Sequence, residues 1–420
     1  MSVTRVAVCQ LGGRTLEEAP ESLDACRELV AEAASMGAQV AVLPEGAYPA
    51  YVLGSAEAAR AVLADGPDPI DAFGAMAAAH AVTLVAGIVV DAPVGLLNAA
   101  VTFGPDGRVL AQTAKRFLWH FDREWFAAGD DSPVAETAVG RVGALVCADA
   151  RLPEIARTLA VRGAALVCDP TAWVTSTPGS PSNIQPEFLV AARCIENGFV
   201  MACASKCGFE GPHVAYAGRS MIVGPDGSVL AEASVDREEV VVADVDLSGL
   251  PRPPVARDPS AYGDLLSAWS ALRPSADRVR IAAANAAGVP VLDAADVFVS
   301  PAGVDVAGAV PRVAVIDEML APEPSRIAAL RGAEVLAFVG DAPLAVLRAR
   351  AAENRVFVVA SGSVTAVIAP SGAVVADAPS DRPFACAADC LLAEAAHKEM
   401  APGTDVFADR QPTTYWDLAR

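Results

Sequence analysis

Lysine is almost absent from this chain: Lys115, Lys206 and Lys398 are the only three in 420 residues. Histidine is nearly as scarce, at His80, His120, His213 and His397, and aromatic residues make up 5%. The 31 cationic side chains face 51 acidic ones, a formal net charge of −20. A surface of that sign repels phosphate backbones and anionic headgroups, which argues against nucleic acid and membrane surfaces as partners. No uninterrupted apolar run reaches the length of a transmembrane helix, and none is expected. The start, MSVTRVAVCQ, lacks a basic segment followed by a long apolar run and does not read as a signal peptide.

Paired cysteines are missing too. The nine are Cys9, Cys26, Cys147, Cys168, Cys194, Cys203, Cys207, Cys386 and Cys390, an odd number at irregular spacing, most of them inside apolar runs. That pattern fits buried thiols in a reducing compartment such as the cytoplasm rather than a disulfide framework. Neither Cys203/Cys207 nor Cys386/Cys390 has a histidine or second cysteine pair at zinc-ligand spacing. No metal and no cofactor is expected.

What is abundant is apolar: 53% of the chain, much of it Ala and Val, enough for a large core. The length suggests two domains. Over 1–250 two periods alternate. Strands are expected at 4–10, 38–45, 82–90, 141–147, 165–173, 199–205 and 239–247, and helices at 22–38, 70–81 and 153–164. Hairpins are expected at 98–112 and 218–233, each turning on Pro-Asp-Gly. Strands alternating with helices imply an α/β fold with a mixed sheet. Residues 251–277, with LPRPPVARDP, read as a linker or crossing segment, 278–395 as a partial repeat, and 396–420 as a tail.

The repeat is visible in order. RGAALV (162–167) recurs as RGAEVL (331–336), ARCIENGFVMACAS (192–205) as ARAAENRVFVVASG (349–362), and MIVGPDGSVLAEA (221–233) as AVIAPSGAVVADA (366–378). NAAVTFGPDG (98–107) matches AADVFVSPAG (294–303) loosely. At constant offset Pro153, Glu154 and Arg157 fall on Pro322, Glu323 and Arg326, and Cys147 falls on Ile316. Nothing in the second copy replaces the strand leading to PEG at 44–46, or the stretch 108–140 that holds Lys115. The second copy keeps framework and loses a set of polar residues, which picks out candidate chemistry.

Three of those residues follow strands, where α/β folds place their sites. Cys147 ends GALVC and precedes a helical pattern, with Asp149 and Arg151 close behind. A core thiol is the commoner use of cysteine, but a nucleophile at such an elbow is exposed, near backbone N–H groups that favour a thiolate and hold an oxyanion. Glu45 follows Pro44 at a strand end, where partial desolvation suits a general base. Lys115 is a compact charge in a chain that otherwise uses Arg, suited to an oxyanion.

Together these resemble the nitrilase superfamily of carbon–nitrogen hydrolases, amidase- and carbamoylase-like branch. The carrying residues are LPEGAYPAY (43–51), Lys115 with WFAAGD (125–130), and CADARLPE (147–154), supported by DPTAW (169–173), IENGF (195–199) and GRSMIVGPDG (218–227). The resemblance implies a four-layer αββα sandwich, with a truncated, non-catalytic second α/β domain at 278–395. It implies a Glu45–Lys115–Cys147 triad, Glu45 as base, Lys115 on the oxyanion and Cys147 as nucleophile, working without a cofactor. The family's second Glu falls by counting on Asp122, with Glu124 two residues on. Ala148 stands where the family usually has an aromatic, and its N–H is expected to join Lys115 on the oxyanion. Tyr51 and Trp173, within the motifs, are expected beside the substrate. Nitrile-cleaving members usually carry Trp-Glu after the cysteine; Ala148-Asp149 here points to a small amide or N-carbamoyl substrate. Arg151 follows a D-x-R spacing seen among amidase-like members, and both an ion pair and a substrate role fit it. An acyltransferase using the same thioester, and a scaffold with an idle triad, are the competing readings. An α/β hydrolase is not supported, because G-x-S-x-G is absent. Family members pair their sandwiches, so a homo-oligomer is implied.

Overall fold

Val6, Ala7 and Val8 are fully buried at the centre of a parallel ladder, with Val40–Val42 on one side. The computed structural model describes residues 3–178, 183–289, 295–307 and 311–420. The chain divides into two units, Met1–Pro253 and Pro254–Arg420. In the first, chain order is β1 (Val3–Gly12), α1 (Ala19–Ser35), β2 (Val40–Val42), α2 (Ala56–Asp65), α3 (Pro69–His80), β3 (Thr83–Ala92), β4 (Gly95–Phe103), β5 (Val109–Ala114) and α4 (Asp122–Trp125). There follow β6 (Val134–Thr137), β7 (Gly140–Ala144), α5 (Pro153–Val161), β8 (Leu166–Pro170), β9 (Val174–Thr175), α6 (Val190–Asn197) and β10 (Val200–Ala204). The unit ends with β11 (Lys206–Glu210), β12 (Val214–Ala217), β13 (Met221–Val223), β14 (Val229–Glu232) and β15 (Glu239–Asp246).

One sheet has the order β5-β4-β3-β2-β1-β11-β12-β9, with β15 antiparallel on β1; the other has the order β14-β13-β10-β8-β7-β6. Parallel strands buried on both faces need continuous apolar runs, which is what VAV, VAVC and LVC supply. The two sheets face each other through β1, β2 and β3 against β8 and β10, while α1 and α3 cover the first and α6 the second. This is the αββα sandwich expected. Its layers bring the ends of β2, β5, β7 and β8 together. The sequence pattern does not mark α2, α4, β6, β9, α6, β11 or β12. Helix α2 is capped by Ser55, whose hydroxyl accepts from Ala58 N; it buries only Ala59 fully, with Val62 and Leu63 packed partly buried against the core.

The second unit contains β16 (Arg278–Ala284), β17 (Val297–Ser300), β18 (Gly303–Val306), β19 (Val313–Val315), α7 (Pro322–Leu330), β20 (Val335–Val339), α8 (Leu344–Asn354), β21 (Phe357–Ser361), β22 (Ala366–Ile368), β23 (Val374–Asp377) and β24 (Ala385–Leu391). Its sheet β19-β20-β21-β22-β23 pairs like β7-β8-β10-β13-β14, even to the irregularity between the last two strands. A buried arginine lattice matches as well. Arg193 reaches Ala150 O at 2.8 Å and Glu196 at 2.8 Å; Arg350 reaches Met319 O at 2.9 Å and Glu353 at 2.7 Å.

Two sequence matches need correction. Leu145 N donates to Cys168 O, and Ile316 N donates to Ala337 O, so Ile316 occupies the place of Leu145, not of Cys147. Since Met319 occupies that of Ala150, the four residues Val146 to Asp149 are replaced by only Asp317 and Glu318: the elbow itself is missing. The match of 294–303 to 98–107 also fails (residue 294 lies outside the described residues). Strand β17 runs parallel to β16, whereas β4 runs antiparallel to its neighbour β3. Within the second unit, residues 254–277 and 396–420 are hydrogen-bonded to each other. Arg410 donates to Leu265 O at 2.6 Å, Arg257 donates to Leu418 O, and Tyr262, Val406 and Tyr415 are buried.

Candidate active site

Cys147 opens a 3-10 turn, Cys147–Arg151, between β7 and α5. Its φ of +48° is in the left-handed region that residues with a β-carbon avoid, and such strain persists only where the surroundings hold it. Here they do. The Cys147 N–H donates to Asp169 Oδ1 at 2.7 Å, and its carbonyl accepts from Gln185 Nε2 at 2.8 Å. Asp149 ties the turn to the segment after Lys115: its carboxylate accepts from Val146 N at 3.1 Å, Arg116 N at 3.0 Å and Phe117 N at 2.7 Å. The thiol itself points to the Ala172 carbonyl at 3.9 Å.

Glu45 emerges from β2 against β3, at a contact so close that a Cβ on Gly87 would lie 2.6 Å from Glu45 Cα. Its Oε1 accepts from Lys115 Nζ and from Asn98 Nδ2, both at 2.7 Å. Its Oε2 is buried and has no hydrogen-bond partner among the described residues. Lys115 leaves β5 with its N–H on Asn98 O at 2.8 Å, and its ammonium also meets Asp122 Oδ2 at 2.5 Å. The other oxygen of Asp122 accepts from Tyr51 Oη at 3.0 Å. Glu45, Lys115 and Asp122 are all completely buried.

The charges answer to one another. Burial raises the Glu45 pKa; Lys115 opposes that, and Asp122 reinforces it. Burial works against the Lys115 charge, but Asp122 and Glu45 outweigh it and hold the pKa well above its ordinary value. Cys147 is pushed well above the ordinary thiol range, first by burial and then by Glu45, with Lys115 pulling the other way. The resting group is therefore a thiol that needs a base at the moment of attack.

Of the expected residues, four are joined by direct side-chain contacts. Glu45, Lys115, Asp122 and Tyr51 form one bonded cluster; Ala148 and Trp173 are buried, and Ala172 beside Trp173 packs with Tyr51 and Tyr216. Glu124 does not join them. It is exposed, because one short helical turn directs Asp122 inward and sends the residue two positions on away from that face. Asn98, Asp169 and Gln185 were not anticipated. Arg151 is buried over the Trp119 ring at 4.2 Å. Its partners are the amide oxygens of Gln185 at 3.1 Å and Asn183 at 3.4 Å, and burial lowers its pKa to about 10. Among the described residues it forms no ion pair with a carboxylate.

The family model for carbon–nitrogen hydrolases matches residues 5–252 and again 284–396. The omega-amidase NIT2 of Bos taurus is 30% identical over 260 residues, 60% of this chain and 91% of that protein. A nitrilase of Pyrococcus abyssi is 30% identical over 248 residues, covering 58% and 90%. Among solved structures, the amidase from Nesterenkonia sp. AN1 aligns with a TM-score of 0.51 at 30% identity, over 58% of this chain and 93% of that one. That structure is of a mutant of the amidase and shows the result of Michael addition of acrylamide at its active-site cysteine. The chain belongs to the carbon–nitrogen hydrolase family.

Proposed function

We propose that the first unit hydrolyses a small-molecule amide through an acyl thioester on Cys147. Glu45 takes the thiol proton as Sγ attacks the carbonyl carbon, and the carbonyl π pair moves to oxygen. Lys115 and the Ala148 N–H hold that oxyanion. The carbon–nitrogen bond then breaks, and Glu45 returns the proton to the leaving nitrogen, which departs as ammonia. Glu45 next takes a proton from water as it attacks the thioester. The carbon–sulfur bond breaks, the acid leaves and the thiol is restored. Asp122 keeps Lys115 charged.

The observation that carries this reading is the asymmetry of Glu45. One oxygen is saturated by Lys115 and Asn98, and the other is buried with no hydrogen-bond partner among the described residues, in a site that holds a strained cysteine. A buried carboxylate oxygen without a partner is costly and suits an atom kept free to take a proton.

Arg151 supports a narrower substrate class. A buried cation without an anion is expensive, and residues 179–182, Gly-Ser-Pro-Ser, add no carboxylate. An amide or N-carbamoyl compound with a carboxylate of its own would supply the missing charge. The second unit we read as non-catalytic, because the elbow residues have no counterpart there.

Intact mass spectrometry of wild type and Cys147→Ala, incubated briefly with acid-bearing and neutral amides, tests the proposal. A substrate-dependent acyl adduct on wild type alone, with ammonia released, is the expected result. Ammonia release by Cys147→Ala at the wild-type rate would overturn it, and adduct passing to added hydroxylamine but never to water would make the enzyme a transferase.

A further inference from the structure

A second buried charge cluster lies next to the first and is not used by the chemistry above. Glu210, at the end of β11, is 2% exposed and takes four hydrogen bonds. Oε2 accepts from Lys206 Nζ at 2.6 Å and Tyr216 Oη at 2.8 Å. Oε1 accepts from the backbone N–H groups of Tyr51 at 2.9 Å and Val52 at 2.6 Å. Lys206 is one of only three lysines in the chain, and its side chain is fully buried.

Stability alone accounts poorly for such a group. A buried ion pair is often no better than apolar side chains of similar volume. What the carboxylate does uniquely here is hold the backbone of Tyr51. Tyr51 then reaches the triad in two ways. Its hydroxyl donates to Asp122, whose other oxygen binds Lys115, and the Lys115 ammonium stands 5.6 Å from the centre of its ring. Its backbone also abuts the residue after the base: Gly46 has φ +56°, and a Cβ there would lie 2.6 Å from Tyr51 Cα. A displaced Tyr51 would therefore disturb both Lys115 and the turn that carries Glu45.

We propose that Glu210, neutralised by Lys206, is a positioning residue for the amide-cleaving reaction, acting through Tyr51 on the Lys115–Asp122 pair. The inference rests on the thioester reading of the first unit. Misplacement of reacting groups by about 1 Å costs on the order of 100-fold in rate, so the cluster's effect belongs in kcat, not in substrate binding.

The test is the rate of Cys147 acylation, with steady-state kcat and KM, in wild type, Glu210→Gln, Glu210→Ala, Tyr51→Phe and the double variant Glu210→Ala/Tyr51→Phe. Glu210→Ala is expected to lower kcat roughly 10- to 100-fold with KM within about threefold. Glu210→Gln, which keeps one oxygen for the two N–H groups, is expected to fall between it and wild type. The double variant should be no slower than the slower single one, because both substitutions break the same chain of contacts. A folded Glu210→Ala with wild-type kcat, or losses that multiply in the double variant, would overturn the inference. If Glu210→Ala does not fold, Glu210→Gln alone and combined with Tyr51→Phe decides by the same criteria. A wild type that forms no adduct with any amide overturns the functional reading and this inference with it. A wild type that acylates while the Glu210 variants match it overturns this inference alone.

Discussion

The backbone N–H of Cys147 donates to Asp169 Oδ1 at 2.7 Å, and Cys147 stands at φ +48°. The two facts belong together. A residue with a β-carbon held in the left-handed region costs about 1–3 kcal/mol, and a buried hydrogen bond to a carboxyl group is of the right size to offset it. Asp169 also lies close enough to raise the thiol pKa. Asp169→Asn keeps an oxygen facing the N–H, so acylation of Cys147 should stay within about fivefold of wild type, while Asp169→Leu, which removes it, should lose on the order of 100-fold. Equal losses in the two variants would assign the effect to the charge of Asp169 instead. Intact-mass acylation rates separate the outcomes.

The raised pKa of Glu45 predicts where activity fails in acid. Glu45 must be ionised to take the Cys147 proton, so the rate should fall about tenfold per pH unit below its pKa. Burial moves that pKa upward, so the acid limb should lie above the ordinary glutamate value of about 4.3. Asn98 donates to the ionised form and lowers the pKa. Asn98→Ala should therefore shift the limb to higher pH, visible in the pH dependence of kcat/KM. A limb that stays put, or moves to lower pH, would mean that another group controls it.

How much of this was readable in advance depended on how far apart in sequence the partners stand. Glu45, Lys115 and Cys147 each follow a strand, and a charge or thiol at the end of an apolar run is visible by itself. Asn98, Asp169 and Gln185 act on residues 53, 22 and 38 positions away. Only strand pairing and loop packing bring them to the site, and no local pattern marks them. Strand β11 escaped notice because it buries Lys206 and Glu210, so its sequence does not alternate as a half-buried strand should. The repeat was legible where framework residues recur. The missing elbow was not, because a constant offset hides a deletion that only the Leu145 and Ile316 hydrogen bonds reveal.

Asp122 and Glu124 make a paired test of the acid beside Lys115. Asp122 is buried and binds Lys115, Tyr51 and the Trp119 N–H, whereas Glu124 is exposed. Asp122→Asn retains an acceptor for Tyr51 but removes the charge that holds the ammonium. A hydrogen bond to a charged group contributes about 1.5–3 kcal/mol, so kcat should fall roughly 10- to 150-fold, and Glu124→Gln should stay within about twofold. Steady-state kinetics on any amide that acylates Cys147 suffices. A larger loss in Glu124→Gln than in Asp122→Asn would exchange the two assignments.

Arg151 separates a structural cation from a substrate-binding one. Its guanidinium is stacked on Trp119 and held by two amide oxygens, with no carboxylate partner among the described residues. If it awaits the acid group of a substrate, Arg151→Gln should raise KM for acid-bearing amides by roughly 10- to 150-fold, the worth of one charged hydrogen bond. Neutral amides of the same length should be cleaved at nearly wild-type efficiency. Removing an unpaired buried charge should also leave the melting temperature unchanged or higher. If Arg151 is instead a strut for the elbow, the variant should melt lower and lose efficiency equally on both kinds of amide. The two predictions differ in sign for stability and in ratio for kinetics, so one variant and two matched substrates decide between them.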